Sequence, residues 1–490
     1  MPQLLSLSRA ARLANVSRGQ LQKKLKNLNI ETFEGELSID ALLQAYPDIE
    51  IDSDPVFERT QKIKNTAKPK LRYTDNWTPE PEVLMARLHD FRNVLARTRA
   101  SYNGMEALLK QLTEELQEIR HQQGDELKQS VDMLADRMQQ SLDKAESVTD
   151  QKAELFAKDA ILRFIAVSAR VIPSGHEFFV EGRDTLLDAA LKAGLHLDYG
   201  CASGNCGKCK VKILRGKVNR VREHDYLLSN SELEEGYCLA CSNTAVTDVL
   251  IEAREALQPE DLPKQEIRCQ VKKLDRISDP LFVLSIQTPK TKSFRFMAGQ
   301  TVKMTLENGT ARRLALASCP CDGHNLQFVL NQLDSDNFIQ SLQQNTTSQT
   351  VMVEGPEGDF LLNEASLGTS IFIAVDEGFG AIKSLVEHAI AIDNAEAMYL
   401  YRVDNIPPGS MIGNLCRSWD DALDNFIYNR VELEATPEKV MDKIISTAGN
   451  VVKHRYYIAA PDAWISSFTP LLDKNKIPGE RVRYLAFDRL

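Results

Sequence analysis

The residues with the strongest claim to chemistry lie between positions 201 and 241. The stretch CASGNCGKC occupies 201–209 and GYCLACSN occupies 236–243, so Cys201, Cys206 and Cys209 follow a C-x4-C-x2-C spacing with further thiols later in the chain. Structural zinc usually takes two CxxC-type pairs. This asymmetric spacing is instead that of a two-iron, two-sulfur site held by four thiolates. A cluster of that kind is negatively charged, and the loop around it must turn backbone N–H groups toward sulfur. Gly200, Gly204 and Gly207 give the loop the freedom to do so.

The longer run DTLLDAALKAGLHLDYGCASGNCGKCKVKILRGKV resembles the plant-type 2Fe-2S ferredoxin domain over its whole length. In that family the last ligand usually follows a Leu-Ala pair, which Leu239-Ala240-Cys241 matches. The resemblance therefore implies Cys201, Cys206, Cys209 and Cys241 as cluster ligands and leaves Cys238 as a buried neighbour.

Residues 264–490 resemble the flavin and nucleotide domains of the ferredoxin reductase superfamily, in the order found in reductase components of bacterial oxygenases. The matching stretches are FMAGQTVKMTL (296–306), RRLALAS (312–318), VEGPEGDF (353–360), IFIAVDEGFGAIKSLVEHA (371–389), YYIAAPDAW (456–464) and RYLAF (483–487). The framework is matched more closely than the chemistry. Where the family has R-x-Y-S, with arginine on a flavin phosphate and tyrosine and serine on the ring, this chain has Arg312, Leu314 and Ala315. Where helix-end N–H groups would meet the flavin diphosphate, NQLDSDNF places Asp334 and Asp336. The family's G-G-T-G-x-A-P turn reads Val375, Asp376, Glu377, Gly378, Phe379, Gly380, Ala381, and its C-G-P segment reads Ala459-Ala460-Pro461. Carboxylates beside phosphates repel them. Arg312 is thus expected as a vestigial contact to an FAD phosphate and Gly378 as the remnant of a nucleotide turn. FAD and NAD(P)H binding are read as lost, with the strands and helices persisting because they bury a core.

The elements around these sites follow from patterning. A chain of 490 residues suggests several units at roughly 150 residues per domain. Nine cysteines, an odd number without a secretory leader, argue for reduced thiols or metal ligation. No apolar run reaches the roughly 20 residues that span a bilayer, so a cytoplasmic protein without membrane insertion is expected. The net charge of -10 disfavours nucleic-acid binding by the whole chain, yet residues 1–30 carry Arg9, Arg12, Arg18, Lys23, Lys24 and Lys26 with no acid. That segment, with Ser17 as an N-cap, resembles a helix-turn-helix unit, which binds DNA or docks a protein. Leu84, Leu88, Phe91 and Leu95, then Leu109, Leu112, Leu116 and Ile119, recur at coiled-coil spacing.

The expected architecture is therefore multidomain, α+β and α/β. It comprises a helix-turn-helix-like unit (1–50), a linker (51–81), a coiled coil (82–160), a β-grasp ferredoxin domain (161–256), a flavin-type β-barrel (264–365) and a nucleotide-type α/β domain (366–490). Cys319-Pro320-Cys321 is read as two free thiols, because cysteines flanking a proline have poor disulfide geometry. His176, His196 and His224 are read as structural. The expected function is that of a 2Fe-2S protein for electron transfer or redox sensing, working with a redox or assembly partner and oligomerising through the coiled coil. Alternatives are an NAD(P)H-dependent FAD/2Fe-2S reductase component of an oxygenase, a redox-responsive DNA-binding regulator, and an assembly scaffold with a structural cluster.

Overall fold

A computed structural model describes residues 4–47 and 166–487 apart from short breaks, together with 81–93 except Phe91, and Leu112. Most of the expected linker and coiled coil, Ser17, and the acidic segment with Asp334 and Asp336 lie outside the described residues.

The N-terminal unit pairs two short strands, β1 (Leu4–Ser6) and β2 (Glu36–Ser38), around helices α1 (Leu7–Leu13) and α2 (Arg18–Asn27), and α3 (Ile39–Ala45) follows. Leu7, Ala10, Leu21, Leu25 and Leu42 form its core. Ser38 caps α3 by accepting from the N–H of Ala41. The β pair is an addition to the helical unit read from the sequence; three-residue strands are too short to leave a clear alternation.

The next described stretch, helical at 81–90, packs on the ferredoxin-like domain. Val83 is buried, the Arg87 guanidinium donates to the carbonyl of Ala245 at 3.0 Å, and Asp90 pairs with Lys217 at 3.0 Å. Burial lowers the Arg87 pKa to about 10, although Glu181 and Asp248 favour its charged form.

The ferredoxin-like domain contains β3 (Ala166–Ile172), β4 (Glu177–Glu181), helix α4 (Leu186–Lys192), β5 (Lys210–Arg215), β6 (Val218–Arg220), helix α5 (Asn230–Glu234), β7 (Tyr237–Leu239), β8 (Asn243–Ala245) and β9 (Val249–Glu252). Its main sheet runs β4-β3-β9-β5-β7, and β6 and β8 form a small second pair. Thr185 and Asp188 close a reciprocal capping box on α4, whose Leu186, Leu187 and Ala190 pack under the sheet.

A six-stranded antiparallel barrel sheet follows: β10 (Gln265–Arg276), β11 (Leu281–Gln287), β12 (Thr301–Leu306), β13 (Ala311–Ala315), β14 (Asn325–Asn331) and β15 (Thr350–Glu357), in the order β13-β12-β15-β10-β11-β14. Helix α6 (Asn337–Gln344) seats Phe338, Ile339 and Leu342 in the barrel core. The last unit is a parallel sheet in the order β18-β17-β16-β19-β20, built from β16 (Ser370–Val375), β17 (Met398–Val403), β18 (Phe426–Val431), β19 (Arg455–Ala460) and β20 (Val482–Ala486). Helices α7 (Phe379–Ile392), α8 (Met411–Ala422), α9 (Pro437–Ala448) and α10 (Asp462–Lys474) alternate with the strands. Strands buried on both faces explain the unbroken apolar run at 371–375. The strand order switches direction between β16 and β19, where doubly wound sheets place their ligands.

The ferredoxin-like domain is docked on both later units. The N–H of Ser293 donates to the carbonyl of Gly200 at 3.2 Å, and Arg295 donates to Asp198 at 2.8 Å while lying over the Tyr199 ring. On the other side the turn at Gly194 meets α7, where an added Cβ would lie 2.5 Å from Ile392, and the His196 ring faces His388 at 5.6 Å.

Candidate functional site

The thiol site is assembled from the loop between α4 and β5 and from the turn after β7. The thiol of Cys209 lies 3.1 Å from that of Cys241, and Cys201 pairs with Cys206, whose sulfur accepts from the Cys201 N–H at 3.4 Å. Cys209 and Cys241 meet thiol to thiol, and Cys201 meets Cys206 through its backbone N–H. The loop also points N–H groups at sulfur: Ser203 and Asn205 donate to Cys201 at 3.5 and 3.3 Å. Gly204 and Gly207 take positive φ, and a Cβ on Gly207 would collide with the Tyr226 ring, so the loop's path depends on them. Cys201, Cys209 and Cys241 are buried, while Cys206 is exposed.

The electrostatics favour ligation. Burial raises the Cys201 thiol, but hydrogen bonds from Ser203, Cys206 and Asn205 outweigh it and bring the pKa down to about 6. Cys241 is held down to about 7, chiefly by the Cys209 hydrogen bond, and Cys209, as the donor, is correspondingly raised. Cys238 faces the domain core with Val211 and is pushed up to about 12 by burial. Its place in the core, against the 3.1 Å approach of Cys241 to Cys209, favours Cys241 as the fourth. The residues present thus fit a 2Fe-2S cluster, and Cys201, Cys206, Cys209 and Cys241 would hold it.

The reductase-like units present a second site with different contents. Arg312, on β13, donates through Nη2 to Glu377 at 2.9 Å and through Nη1 to the carbonyl of Asn331 at 3.1 Å. The same Glu377 carboxylate accepts from the N–H of Asn331 at 2.9 Å. A carboxylate from the turn after β16 therefore pairs with the barrel arginine and ties β13 to β14. Leu314 is buried in the barrel core, and Ala315 packs against the core shared with α7. Helix α7 closes over the following segment, where Lys383 donates to the carbonyl of Ala317 and Ser384 to that of Ser318, both at 2.8 Å, and Lys383 also pairs with Glu387. Phe379, Ile382 and Leu385 share one core with Ala317 and Val329 of the barrel.

The turn itself has reasons for its residues that involve no ligand. Gly378 has φ -57, and a Cβ there would lie 2.2 Å from the Ala459 carbonyl oxygen, so close packing of the turn on β19 requires glycine. Asp376 takes φ 47, the left-handed region that aspartate tolerates better than most residues. Burial, and then the charge of Asp404, raise its pKa to about 6. Asp404 is fully buried against Arg402 at 2.6 Å. Asp376 and Asp404 thus follow the carboxyl ends of the paired strands β16 and β17.

The remaining candidates take structural places. His176 pairs with Glu255, and His224 donates to the Tyr226 carbonyl. Cys319 and Cys321 are half-buried thiols, the Cys321 N–H donating to the Cys319 sulfur at 3.4 Å, with Cys321 against the ferredoxin core. Sequence reading missed the partnership of Arg312 and Glu377, which stand 65 positions apart, and the docking contacts of Arg295 and His388; no local pattern announces either.

Residues 169–246 match the 2Fe-2S iron-sulfur cluster binding domain. A CDP-6-deoxy-L-threo-D-glycero-4-hexulose-3-dehydrase reductase of Yersinia pestis is 27% identical over 241 residues, covering 48% of this chain and 71% of that protein. The reductase component of propane 2-monooxygenase from Mycolicibacterium smegmatis is 23% identical over 333 residues, covering 64% of this chain and 95% of that protein. Among solved structures, a ferredoxin reductase in carbazole 1,9a-dioxygenase covers 66% of this chain and 98% of its own, with a TM-score of 0.39 and 18% identity. The chain thus carries a 2Fe-2S ferredoxin-type domain followed by a reductase-superfamily module, similar to oxygenase reductase components.

Two predictions follow from this geometry. Cys241→Ser is expected to lose most of its bound iron and sulfide while Cys238→Ser keeps them, as read by iron and sulfide assay and visible absorbance. For Asp376 the folded pKa lies above the unfolded value, so the native state binds more protons and stability falls as pH rises from about 4 to about 6. Asp376→Asn, which keeps the left-handed turn, should raise the melting temperature by a few degrees at pH 7.5 and hardly at all at pH 4.

Proposed function

We propose that this protein is a 2Fe-2S one-electron carrier on a reductase-superfamily framework whose flavin-phosphate position is filled by its own Glu377. One observation carries the reading. The Arg312 guanidinium already has a carboxylate at 2.9 Å, and that carboxylate also takes the Asn331 N–H. An incoming phosphate would have to displace Glu377 and leave it among Asp376 and Asp404. Cys201, Cys206, Cys209 and Cys241 hold the cluster, which supplies one electron at a time. The N–H groups of Ser203 and Asn205 offset negative charge on sulfur and so favour the reduced state. Residues 82–160 serve oligomerisation, and the N-terminal unit, with Lys23, Lys24 and Lys26 on α2, docks DNA or protein. Among the described residues no helix is long and apolar enough to cross a membrane, in keeping with a cytoplasmic setting.

A second reading, an NAD(P)H-dependent flavin reductase feeding an oxygenase, is favoured more directly by the relatives, one of which is a monooxygenase reductase component matched over 64% of this chain. Under it the Arg312–Glu377 pair opens to admit FAD. The deciding experiment is to purify the chain anaerobically, quantify iron, sulfide and flavin, and add NADH or NADPH with FAD while following the cluster spectrum. The first reading expects two irons and two sulfides per chain, no stoichiometric flavin, and reduction by dithionite but not by NAD(P)H. Flavin near one per chain, with nicotinamide-driven reduction, overturns it in favour of the second.

A further inference from the structure

We propose that β5 and the cluster loop ahead of it form a docking surface for a redox protein with an acidic face. The inference rests on the one-electron reading above and adds the chemistry of the partner. From 208 to 222 the chain carries Lys208, Lys210, Lys212, Arg215, Lys217, Arg220 and Arg222 with no acid, inside a protein of net charge -10. Four of these cations have internal partners: Lys210 with Glu232, Lys217 with Asp90, Arg220 with Glu223 and Arg222 with Asp188. Lys208, Lys212 and Arg215 pair with no carboxylate among the described residues.

These three follow one strand outward from the cluster site. Lys208 stands between two of the thiols, and its stem lies on Gly200, where an added Cβ would sit 2.9 Å from the Lys208 Cδ and 3.0 Å from the Cys206 sulfur. A register shift in β5 between Ile213 and Arg215 brings Arg215 opposite Leu250, so that it shares a face with Lys212, opposite Glu252, while Ile213 faces the core. Lys210 and Lys212 flank the Tyr237 ring at 5.5 and 5.3 Å. The shift leaves Leu214 47% exposed, and Leu233 on α5 is 55% exposed. Cations around a small apolar and aromatic centre are the composition of a protein interface, with charge complementarity setting approach and register. Because Lys208 lies within the cluster loop, an acidic protein docked here would stand beside Cys206, the exposed thiol. Two acids lie against the patch, Glu232 paired with Lys210 and Glu252 opposite Lys212 in the strand register.

The test uses the full chain and a fluorescent glutamate-rich peptide as probe, with Lys208→Glu, Lys212→Glu and Arg215→Glu combined in one variant. A control variant carries Arg268→Glu and Lys272→Glu on the barrel, and all three proteins are compared by circular dichroism for folding. The expected result is saturable peptide binding by wild type and control that weakens with salt, and at least tenfold weaker binding by the triple variant. The peptide readout needs no cluster, so it stands apart from the outcome of the iron assay. A second readout is oxidation of the reduced protein by ferricyanide. It should slow with added salt in wild type, against the sign set by the net charge, and lose that dependence in the triple variant. Equal peptide binding by triple variant and control, or ferricyanide oxidation that quickens with salt in wild type, overturns the proposal. Salt-sensitive binding of a labelled DNA duplex that depends on the same three residues would also overturn it, reassigning the patch to nucleic acid.

Discussion

The contact between Arg312 and Glu377 organises the reductase-like half of this protein. It joins the barrel to the turn at the carboxyl end of the parallel sheet and, through Asn331, ties β13 to β14. The pair is part-buried, 18% and 11% exposed, so removing one partner leaves the other charge poorly compensated. Glu377 therefore has strong reason to stay. Lys383 with Glu387, and Arg402 with Asp404, are further buried ion pairs in this half.

Around this closed half the ferredoxin-like domain is set as a docked unit. Arg295 enters from the barrel to hold Asp198, and Gly194 allows α7 to approach closely enough for His388 to face His196. The thiol loop begins where the Gly200 carbonyl meets Ser293, so one face of the site is braced by the barrel while β5 runs outward from the other. The helical stretch at 81–90 grips the same domain through Arg87, which donates to the Ala245 carbonyl, and through Asp90, which pairs with Lys217.

Much of this was legible in the sequence where the chemistry is local. The thiol spacing, the glycines of its loop and the apolar run of β16 each constrain only a few neighbouring residues, so pattern alone identifies them. The acids of the nucleotide turn were legible as a departure from the family, but their consequence was not. Glu377 reads as a charge that repels phosphate, and only the fold shows it bonded to Arg312, the arginine expected at a flavin phosphate. Gly378 reads as a turn remnant, whereas the fold gives it a packing reason in the Ala459 carbonyl. The three-residue strands of the N-terminal unit and the docking of 81–90 depend on partners far along the chain, which periodicity does not encode.

The most direct measurement of the central claim is a calorimetric titration of FAD into the full protein and into Glu377→Gln, which frees Arg312 while nearly preserving side-chain shape. The account predicts no saturable binding by the wild-type chain and measurable binding by the variant. Tight FAD binding by the wild-type chain, undiminished relative to Glu377→Gln, would contradict it and show that Glu377 yields its place to the cofactor.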